Sequence, residues 1–267
     1  MQHRLTARAT ALAFATFALG TASAQAADIT GTDRHERLRG TAVADTINAG
    51  GGRDVLIGYA GDDVLNGQNG YDSIWSGPGN DTANGGDGRD VIFGGLGDDA
   101  LIGEQGNDRL VGNDGNDTLE LGDGNDRASG GPGNDVSNGG AGNDRIYANA
   151  GADVSNGGDG NDDLWAMARV DATTDGNTTV DRLDGGNGND RFHTRDGEAD
   201  LITCGEGNDR ADLDLVDVVT DATPENPNGS CEKVVRKEAK EKDTEGGTGD
   251  REPTAPKKAH GAFSNTI

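Results

Sequence analysis

The stretch from residue 85 to residue 102 contains two copies of one nine-residue unit, Gly85-Gly86-Asp87-Gly88-Arg89-Asp90-Val91-Ile92-Phe93 and Gly94-Gly95-Leu96-Gly97-Asp98-Asp99-Ala100-Leu101-Ile102. In both copies glycine occupies positions 1, 2 and 4, aspartate position 6 and an aliphatic residue position 8. The unit repeats on either side of this stretch without a shift of register. Its aspartates are Asp45, Asp54, Asp63, Asp72, Asp81, Asp90, Asp99, Asp108, Asp117, Asp126, Asp135, Asp144, Asp153 and Asp162. A short fixed period over this length predicts a stacked array rather than a mixed globular core.

The residue types in the unit indicate what each part can do. Glycine tolerates positive φ, so a glycine-rich loop can turn its backbone carbonyl groups towards a common centre. The aspartate at the end of the loop adds a carboxylate beside them, and Ca2+ takes six to eight oxygen ligands of this kind. The three residues after the aspartate suffice for a short strand whose position-8 side chain faces inward and whose neighbours face outward. The pattern therefore predicts calcium-binding turns that alternate with short strands.

The unit G-G-x-G-x-D-x-U-x, where U is aliphatic, resembles the nonapeptide of the RTX, or hemolysin-type calcium-binding, family. The resemblance implies an all-β fold, a right-handed parallel β-roll (a two-sheet β-solenoid), in which two units form one coil. Loops on one side then recur every eighteen residues. This places a first aspartate column, Asp45, Asp63, Asp81, Asp99, Asp117, Asp135 and Asp153, along one edge, and a second aspartate column, Asp54, Asp72, Asp90, Asp108, Asp126, Asp144 and Asp162, along the other. These residues, Asp190 and Asp209 are the predicted calcium ligands, and Glu36, Asp181 and Asp200 are weaker candidates.

The charge of the chain fits bound cations. Adjacent coils lie about 4.8 Å apart, so the ionised aspartates of one column would repel one another. With one ion between each pair of neighbouring loops, the two edges offer about twelve Ca2+ sites. These ions would nearly cancel the formal net charge of −25, which also argues against a nucleic-acid partner. The alternative is a β-solenoid whose aspartates only form solvated turns.

The array is flanked by segments of different composition. Residues 1–26 combine basic residues, a short apolar stretch and a small-residue cleavage site, which predicts a secretory signal peptide and a secreted, extracellular protein. The apolar stretch is too short to cross a bilayer, so we expect no membrane insertion. The other segments are predicted to be an N-terminal capping repeat (27–39), the main calcium-binding β-roll (40–165), an inserted loop (166–180), degenerate repeats with a C-terminal cap (181–235) and a disordered tail (236–267).

Cys204 and Cys231 are the only cysteines. An even number of cysteines in a secreted chain favours a disulfide. We expect this one to close the C-terminal end of the solenoid, where the repeats are least regular. We also expect the coils around residues 128–155 to fray first when calcium is withdrawn, because alanine or serine often holds position 8 there.

One sheet of the expected β-roll carries apolar side chains at position 9. They are Ile57, Trp75, Phe93, Val111, Tyr147 and Trp165. A contiguous exposed apolar strip often marks a contact surface, so this face is a candidate site for a protein partner, a glycan or a second copy of the chain. The alternatives are that the aromatic side chains pack along the pleated surface, or that segment 166–180 folds over them.

The sequence contains none of the short motifs of metalloproteases, serine hydrolases or P-loop enzymes, and its four histidines are scattered. It therefore predicts no enzyme. The favoured function is a secreted calcium-binding repeat protein whose folding is coupled to Ca2+ and which acts as a structural or interaction module. The alternatives are a secreted hydrolase with an unrecognised site and an ice- or surface-binding solenoid.

Overall fold

The computed structural model describes residues 25–166, 180–223, 226 and 228–237, and in this part of the chain two parallel β-sheets form a β-solenoid of about ten turns. The chain passes alternately through the two sheets. Each strand therefore pairs with the equivalent strand of the neighbouring coil, as Thr82 pairs with Ala100. The predicted all-β, two-sheet solenoid is confirmed.

We number the strands in chain order. Sheet 1 contains β1 (Asp28–Thr30), β3 (Thr46–Asn48), β6 (Val64–Gly70), β8 (Thr82–Gly88), β10 (Ala100–Gly106), β12 (Thr118–Asp123), β14 (Val136–Ala141), β16 (Val154–Asp159), β18 (Arg182–Gly188), β20 (Leu201–Thr203) and β23 (Val218–Val219), with β4 (Gly51–Gly52) and β21 (Glu206–Gly207) beside it. Sheet 2 contains β2 (Arg37–Arg39), β5 (Val55–Ile57), β7 (Ser73–Pro78), β9 (Val91–Leu96), β11 (Arg109–Asp114), β13 (Arg127–Pro132), β15 (Arg145–Ala150), β17 (Asp163–Trp165), β19 (Arg191–Thr194), β22 (Arg210–Leu213) and β24 (Lys233–Arg236).

In the middle of the solenoid the strands are longer than the sequence predicted. Strand β6 has seven residues and continues from position 7 of one unit to position 4 of the next. Its last residue, Gly70, pairs with Gly88 of the following coil. The expectation of three-residue strands is wrong there, because the loops stack in register and their backbone groups also pair along the axis of the solenoid.

The core lies between the two sheets and consists mainly of position-8 side chains, as predicted. Leu56, Leu65 and Leu101 are fully buried. Position 1 also faces the interior, where Leu121 is fully buried. Small side chains fill position 8 at Ala83, Ala128, Ser137 and Ser155. The core is therefore one side chain thick on each sheet and thinnest where these small residues follow one another.

The predicted insertion does not interrupt the stack. Strand β16 pairs directly with β18, and Val154 lies opposite Arg182, although ten more residues separate them than separate Val136 from Val154. Most of the inserted loop, 167–179, lies outside the described residues. At the C-terminal end the predicted disulfide between Cys204 and Cys231 is present, with a Cα–Cα distance of 5.2 Å.

The two terminal segments fall largely outside the described residues. Of the predicted signal peptide only residues 25 and 26 are described, and of the predicted tail only 236 and 237. In the part of the chain that is described, no helix is long and apolar enough to cross a membrane.

Candidate metal centre

The aspartates at position 6 form two hydrogen-bonded columns, one along each edge of the solenoid. The Oδ1 atom of Asp117 accepts a hydrogen bond of 2.8 Å from the backbone N–H of Asp99, and the Oδ1 atom of Asp99 accepts one of 2.8 Å from Asp81. The second column repeats this bond, for example from the N–H of Asp72 to Asp90 Oδ1 at 2.7 Å. One carboxylate oxygen of each aspartate is thus used to hold adjacent coils together.

The other carboxylate oxygen, Oδ2, has a different environment. In most column members Oδ2 is buried and has no hydrogen-bond partner among the described residues. This holds for Asp54, Asp63, Asp72, Asp81, Asp90, Asp99, Asp108, Asp117, Asp126, Asp135, Asp144, Asp162, Asp190, Asp200 and Asp209. Asp45, at the N-terminal end, differs because its Oδ2 accepts the N–H of Thr41. A buried anionic oxygen without a partner is strongly unfavourable, so the columns present oxygen atoms that a cation would stabilise.

A backbone carbonyl of the next coil lies close to Oδ2. A Cβ placed on Gly67, at position 1, would lie 2.6 Å from Asp72 Oδ2 and 2.6 Å from the carbonyl oxygen of Gly85. The equivalent point at Gly185 lies 2.5 Å from Asp190 Oδ2 and 2.5 Å from another carbonyl oxygen of the next coil. A carboxylate oxygen and a carbonyl oxygen of the next coil therefore face the same small volume beside the position-1 glycine, and oxygens of both kinds are ligands that Ca2+ takes. The residues present fit a hard cation.

Glycine at position 4 is required by the stacking of the loops. Gly88 and Gly106 have φ values of 150° and 151°, in a region that other residues rarely adopt. A Cβ on Gly106 would also overlap the carbonyl oxygen of Gly88 in the preceding coil. The glycines therefore let the loop backbones approach each other as well as turn, and this close approach brings the carboxylates and carbonyls of adjacent coils together.

Burial raises the pKa of the column aspartates. The pKa of Asp99 is raised to about 8 and that of Asp117 to about 7. Desolvation is the main cause, the N–H from the preceding coil opposes it, and neighbouring carboxylates raise the pKa further. In the second column the same causes raise the pKa of Asp90 and Asp126 to about 7. At neutral pH the structure therefore holds carboxylates that are costly to ionise without a compensating cation.

Backbone oxygens are needed to complete any metal site in the columns. Among the described residues, no three His, Cys, Asp or Glu side chains converge on one point as they do around a bound ion. In the regular array each coil contributes only one buried carboxylate per edge. The remaining ligands would have to be carbonyl oxygens of the glycine-rich loops, which is an arrangement that Ca2+ accepts readily.

The comparison with known families agrees with this geometry. The model for the RTX calcium-binding nonapeptide repeat, which covers four copies, matches residues 30–65, 39–74, 75–110, 93–128, 102–136, 129–164 and 175–211, more than half of the chain. The chain belongs to this family. No curated protein shows significant similarity to it. RTX repeats in a β-roll bind Ca2+, and the chain is accordingly a calcium-binding structural repeat protein.

The RTX columns extend further than the regular spacing indicates. Asp181 and Asp200, predicted as weaker candidates, accept the N–H groups of Asp153 and Asp181 and so continue the first column. The sequence prediction missed Asp217 and Glu232, which extend the two columns in the same way by accepting from Asp200 at 3.2 Å and from Asp209 at 2.6 Å. Asp217 follows Asp209 by eight residues, a spacing close to the repeat, whereas Glu232 has no such signal.

The N-terminal end of the second column is formed by Glu36. Its backbone N–H donates to Asp54 Oδ1 at 2.8 Å, as a column member does. Its carboxylate accepts the N–H of Thr32 at 2.6 Å. Glu36 therefore occupies the position of a repeat aspartate and uses one carboxylate oxygen within its own loop.

Position 5 of the RTX loops forms a second set of ladders that the sequence analysis did not anticipate. The N–H and the side-chain Nδ2 of Asn143 both donate to Asn125 Oδ1, at 2.9 and 2.8 Å. Asn161 makes the equivalent bonds to Asn143. These exposed side chains are hydrogen-bonded to their neighbours along the stack, so they reinforce the loops.

The predicted partner face on sheet 2 is largely buried. The exposed fractions are 3% for Ile57, 6% for Phe93, 3% for Val111 and 7% for Tyr147, while Trp75 and Trp165 are half-buried. The rings stack along the axis, with centroid distances of 6.1 Å between Trp75 and Phe93 and 3.8 Å between Trp165 and His193. The expectation of an exposed apolar strip is therefore wrong for Ile57, Phe93, Val111 and Tyr147, because these side chains pack along the column and are shielded from solvent.

Proposed function

We propose that the protein is a secreted calcium-binding module whose folding is coupled to Ca2+ and which has a structural or interaction role rather than an enzymatic one. The observation that carries this proposal is the buried Oδ2 atom without a hydrogen-bond partner, which recurs in nearly every coil. About twelve ions, one between each pair of neighbouring loops, would neutralise the two columns.

Folding is coupled to calcium binding because burial of the column carboxylates is a large unfavourable contribution to folding. Bringing the coils together places each Oδ2 in a desolvated site beside the carbonyl of the next coil. When Ca2+ is bound it supplies the positive charge that makes this burial favourable. Because the loops come together only in the folded chain, the free energy of binding becomes free energy of folding. Asp Oδ2 atoms and position-1 carbonyls would hold the ion, while Oδ1 atoms keep the coils in register.

The proposed location rests on the pattern of residues 1–26, which is that of a secretory signal peptide. Extracellular calcium modules bind Ca2+ with dissociation constants of about 10⁻⁴ to 10⁻³ M. A chain with such affinity would remain extended in a cytosol poor in calcium and fold after export. Charged, glycine-rich repeats favour this behaviour, because they bury too little apolar surface to fold unaided.

A non-enzymatic role is supported by how the polar residues are used. The column carboxylates hold adjacent coils together, and Nδ1 of His35 accepts the N–H of Arg53 at 2.8 Å. His193 is packed flat against Trp165, and desolvation lowers its pKa. An array of equivalent side chains along a rigid stack suits a scaffold or spacer better than a site for one substrate.

The test is a calcium titration of the mature chain followed by far-UV circular dichroism, with magnesium as the control ion. We expect a cooperative gain of β signal that a chelator reverses. The double variant D108N/D126N should require more calcium, whereas D33N/D87N, which removes two exposed carboxylates, should behave like the unmodified chain. A chain that is fully folded in chelator at neutral pH, and unchanged by calcium, contradicts the proposal.

A further inference from the structure

The loop that ends at Asp200 departs from the glycine pattern of the RTX repeat. Aligned on this aspartate, positions 2 and 4 are Asp196 and Glu198 instead of glycine. The next loop on the same edge ends at Asp217 and carries Asp214 at position 3. Regular loops on this edge also carry extra carboxylates, such as Asp98 and Asp114, but those are exposed, whereas Glu198 and Asp214 are buried.

Most of these acidic side chains are buried, Asp196 is half-buried, and hydrogen bonds within and between the two loops hold them. Asp217 Oδ2 accepts from Thr194 Oγ1 at 2.6 Å and from the N–H of Asp214 at 2.8 Å. Asp214 Oδ2 accepts from the N–H of Gly197 at 2.8 Å. The exposed fractions are 0% for Asp200, 1% for Asp214, 5% for Asp217 and 8% for Glu198. The cluster is therefore part of the packed end of the solenoid and is not a solvated surface patch.

Two oxygens of this cluster have no hydrogen-bond partner among the described residues. Asp200 is fully buried, its Oδ1 accepts the N–H of Asp181, and its Oδ2 is unpartnered. Asp196 Oδ2 is likewise buried and unpartnered, while its Oδ1 accepts the N–H of Glu198 at 3.0 Å. Asp200 lies close enough to Asp196, Asp181 and Asp217 to be repelled by each of them. Its carboxyl group, with one unpartnered oxygen, is therefore buried among like charges.

The electrostatics of the group agree with this geometry. Desolvation and the neighbouring carboxylates raise the pKa of Asp200 to about 9 and that of Asp196 to about 7. A nearby cation, Arg236, donates from Nη1 to the backbone carbonyls of Asp214 and Asp217, at 3.3 and 2.8 Å. Those bonds fix the loop, but their acceptors are main-chain oxygens. The carboxylates of Asp196 and Asp200 are left without a compensating charge from Arg236 in these contacts.

We propose that loop 195–200, which is hydrogen-bonded to loop 212–217, forms a cation site of a second kind, in which side-chain carboxylates replace the loop carbonyls of the RTX repeat. Its ligands are the carboxylates of Asp196 and Asp200, with Glu198 beside them, and its ion belongs to the class of hard, oxygen-seeking cations to which Ca2+ belongs. No three of the described carboxylates converge on one point in this structure, so binding draws the side chains together rather than filling a finished cage. More negative ligands raise calcium affinity, so this site fills before those of the columns.

The test is equilibrium dialysis of the full mature chain, with its disulfide intact, against increasing Ca2+. In D196N the Oδ1 acceptor of the Glu198 N–H is preserved and one anionic oxygen is removed. The matched control is D184N, because Asp184 is exposed and accepts the N–H of Gly186, two residues later, at 3.2 Å in the same way. We expect D196N to lose the most tightly bound ion and keep the others, D184N to bind as the unmodified chain does, and D196E to restore the ion.

The outcomes separate this inference from the proposed calcium-dependent folding on which it rests. If the unmodified chain binds no calcium, the proposed function fails. If it binds calcium but D196N binds the same number of ions with the same affinities, only the second kind of site is refuted. If D196N and D196E both lose the ion, the shape of the loop rather than its carboxylate is responsible, and this also overturns the inference.

Discussion

Protons should partly replace calcium in this protein. The perturbation is acidification of the calcium-free chain from pH 8 to pH 5. Most column aspartates have folded-state pKa values above the ordinary value of 3.8, such as about 8 for Asp99, about 7 for Asp117 and about 6 for Asp63. A carboxyl whose pKa is raised by folding binds its proton more tightly in the folded state. The calcium-free fold therefore becomes more stable as pH falls through these values and bears the full cost of ionisation above them.

The free-energy cost of ionising the column carboxylates is comparable to the stability of a whole domain. For Asp117, a folded pKa of about 7 against 3.8 corresponds to about 4 kcal/mol as an upper bound. Relaxation and water penetration reduce such penalties, so we take about 1 kcal/mol for each aspartate. Summed over both columns, this cost is similar to the whole free energy of unfolding of a typical domain, which is roughly 5–15 kcal/mol. Without calcium the fully ionised columns should prevent folding at pH 8.

The assay is far-UV circular dichroism of the mature chain in calcium-free buffer, kept above the isoelectric point of about 4.3 so that the chain remains soluble. We expect β signal to appear on acidification, centred between about pH 6 and pH 7. The variant D99N/D117N mimics two protonated carboxyls and should fold at a higher pH. The exposed pair D33N/D87N controls for net charge and should follow the unmodified chain.

A soluble, monomeric chain that shows no gain of β signal by pH 5 contradicts this prediction. A shift of the transition by D33N/D87N as large as the shift by D99N/D117N contradicts it as well. In that case general charge repulsion, rather than burial of the column carboxylates, would control folding.

Three further predictions concern the stability of the calcium-loaded protein. G106A should lower the free energy of unfolding by more than about 1 kcal/mol, and with it the thermal midpoint, because the new Cβ meets a carbonyl of the preceding coil at a φ of 151°. The control G51A should have little effect, because its Cβ has no atom nearer than 3.5 Å. When calcium is withdrawn in steps, hydrogen exchange should increase first in residues 127–156, where position 8 is small, and uniform loss of protection contradicts this. Reducing the Cys204–Cys231 disulfide should cost roughly 3–4 kcal/mol and expose strands β22 to β24 to exchange, whereas unchanged protection of these strands would show that the clasp is dispensable.

Much of the fold could be read from the repeat because each coil copies the backbone of the one before. A period of nine residues assigns Leu56 or Leu101 to the interior without reference to distant contacts, and eighteen-residue stacking places Asp99 beside Asp117. The period does not predict that the two oxygens of each carboxylate have different roles. Only the packed structure shows that Oδ1 bonds to the N–H of the neighbouring coil while Oδ2 is left buried and unpartnered.

The sequence by itself determined the stacked array and the inward side chains, since these follow from a local period that the stack preserves. Its resemblance to the RTX nonapeptide implied the two sheets and the two aspartate columns. The tertiary structure decided the features that depend on solvent access or on contacts between coils of unequal length. It showed the extension of strands through the loops, the burial of Ile57 and Phe93, and the meeting of Asp196 with Asp217. Some of those features arise from packing between residues whose spacing departs from the repeat. Others arise because neighbouring coils shield a side chain from solvent. The period of the sequence predicts neither.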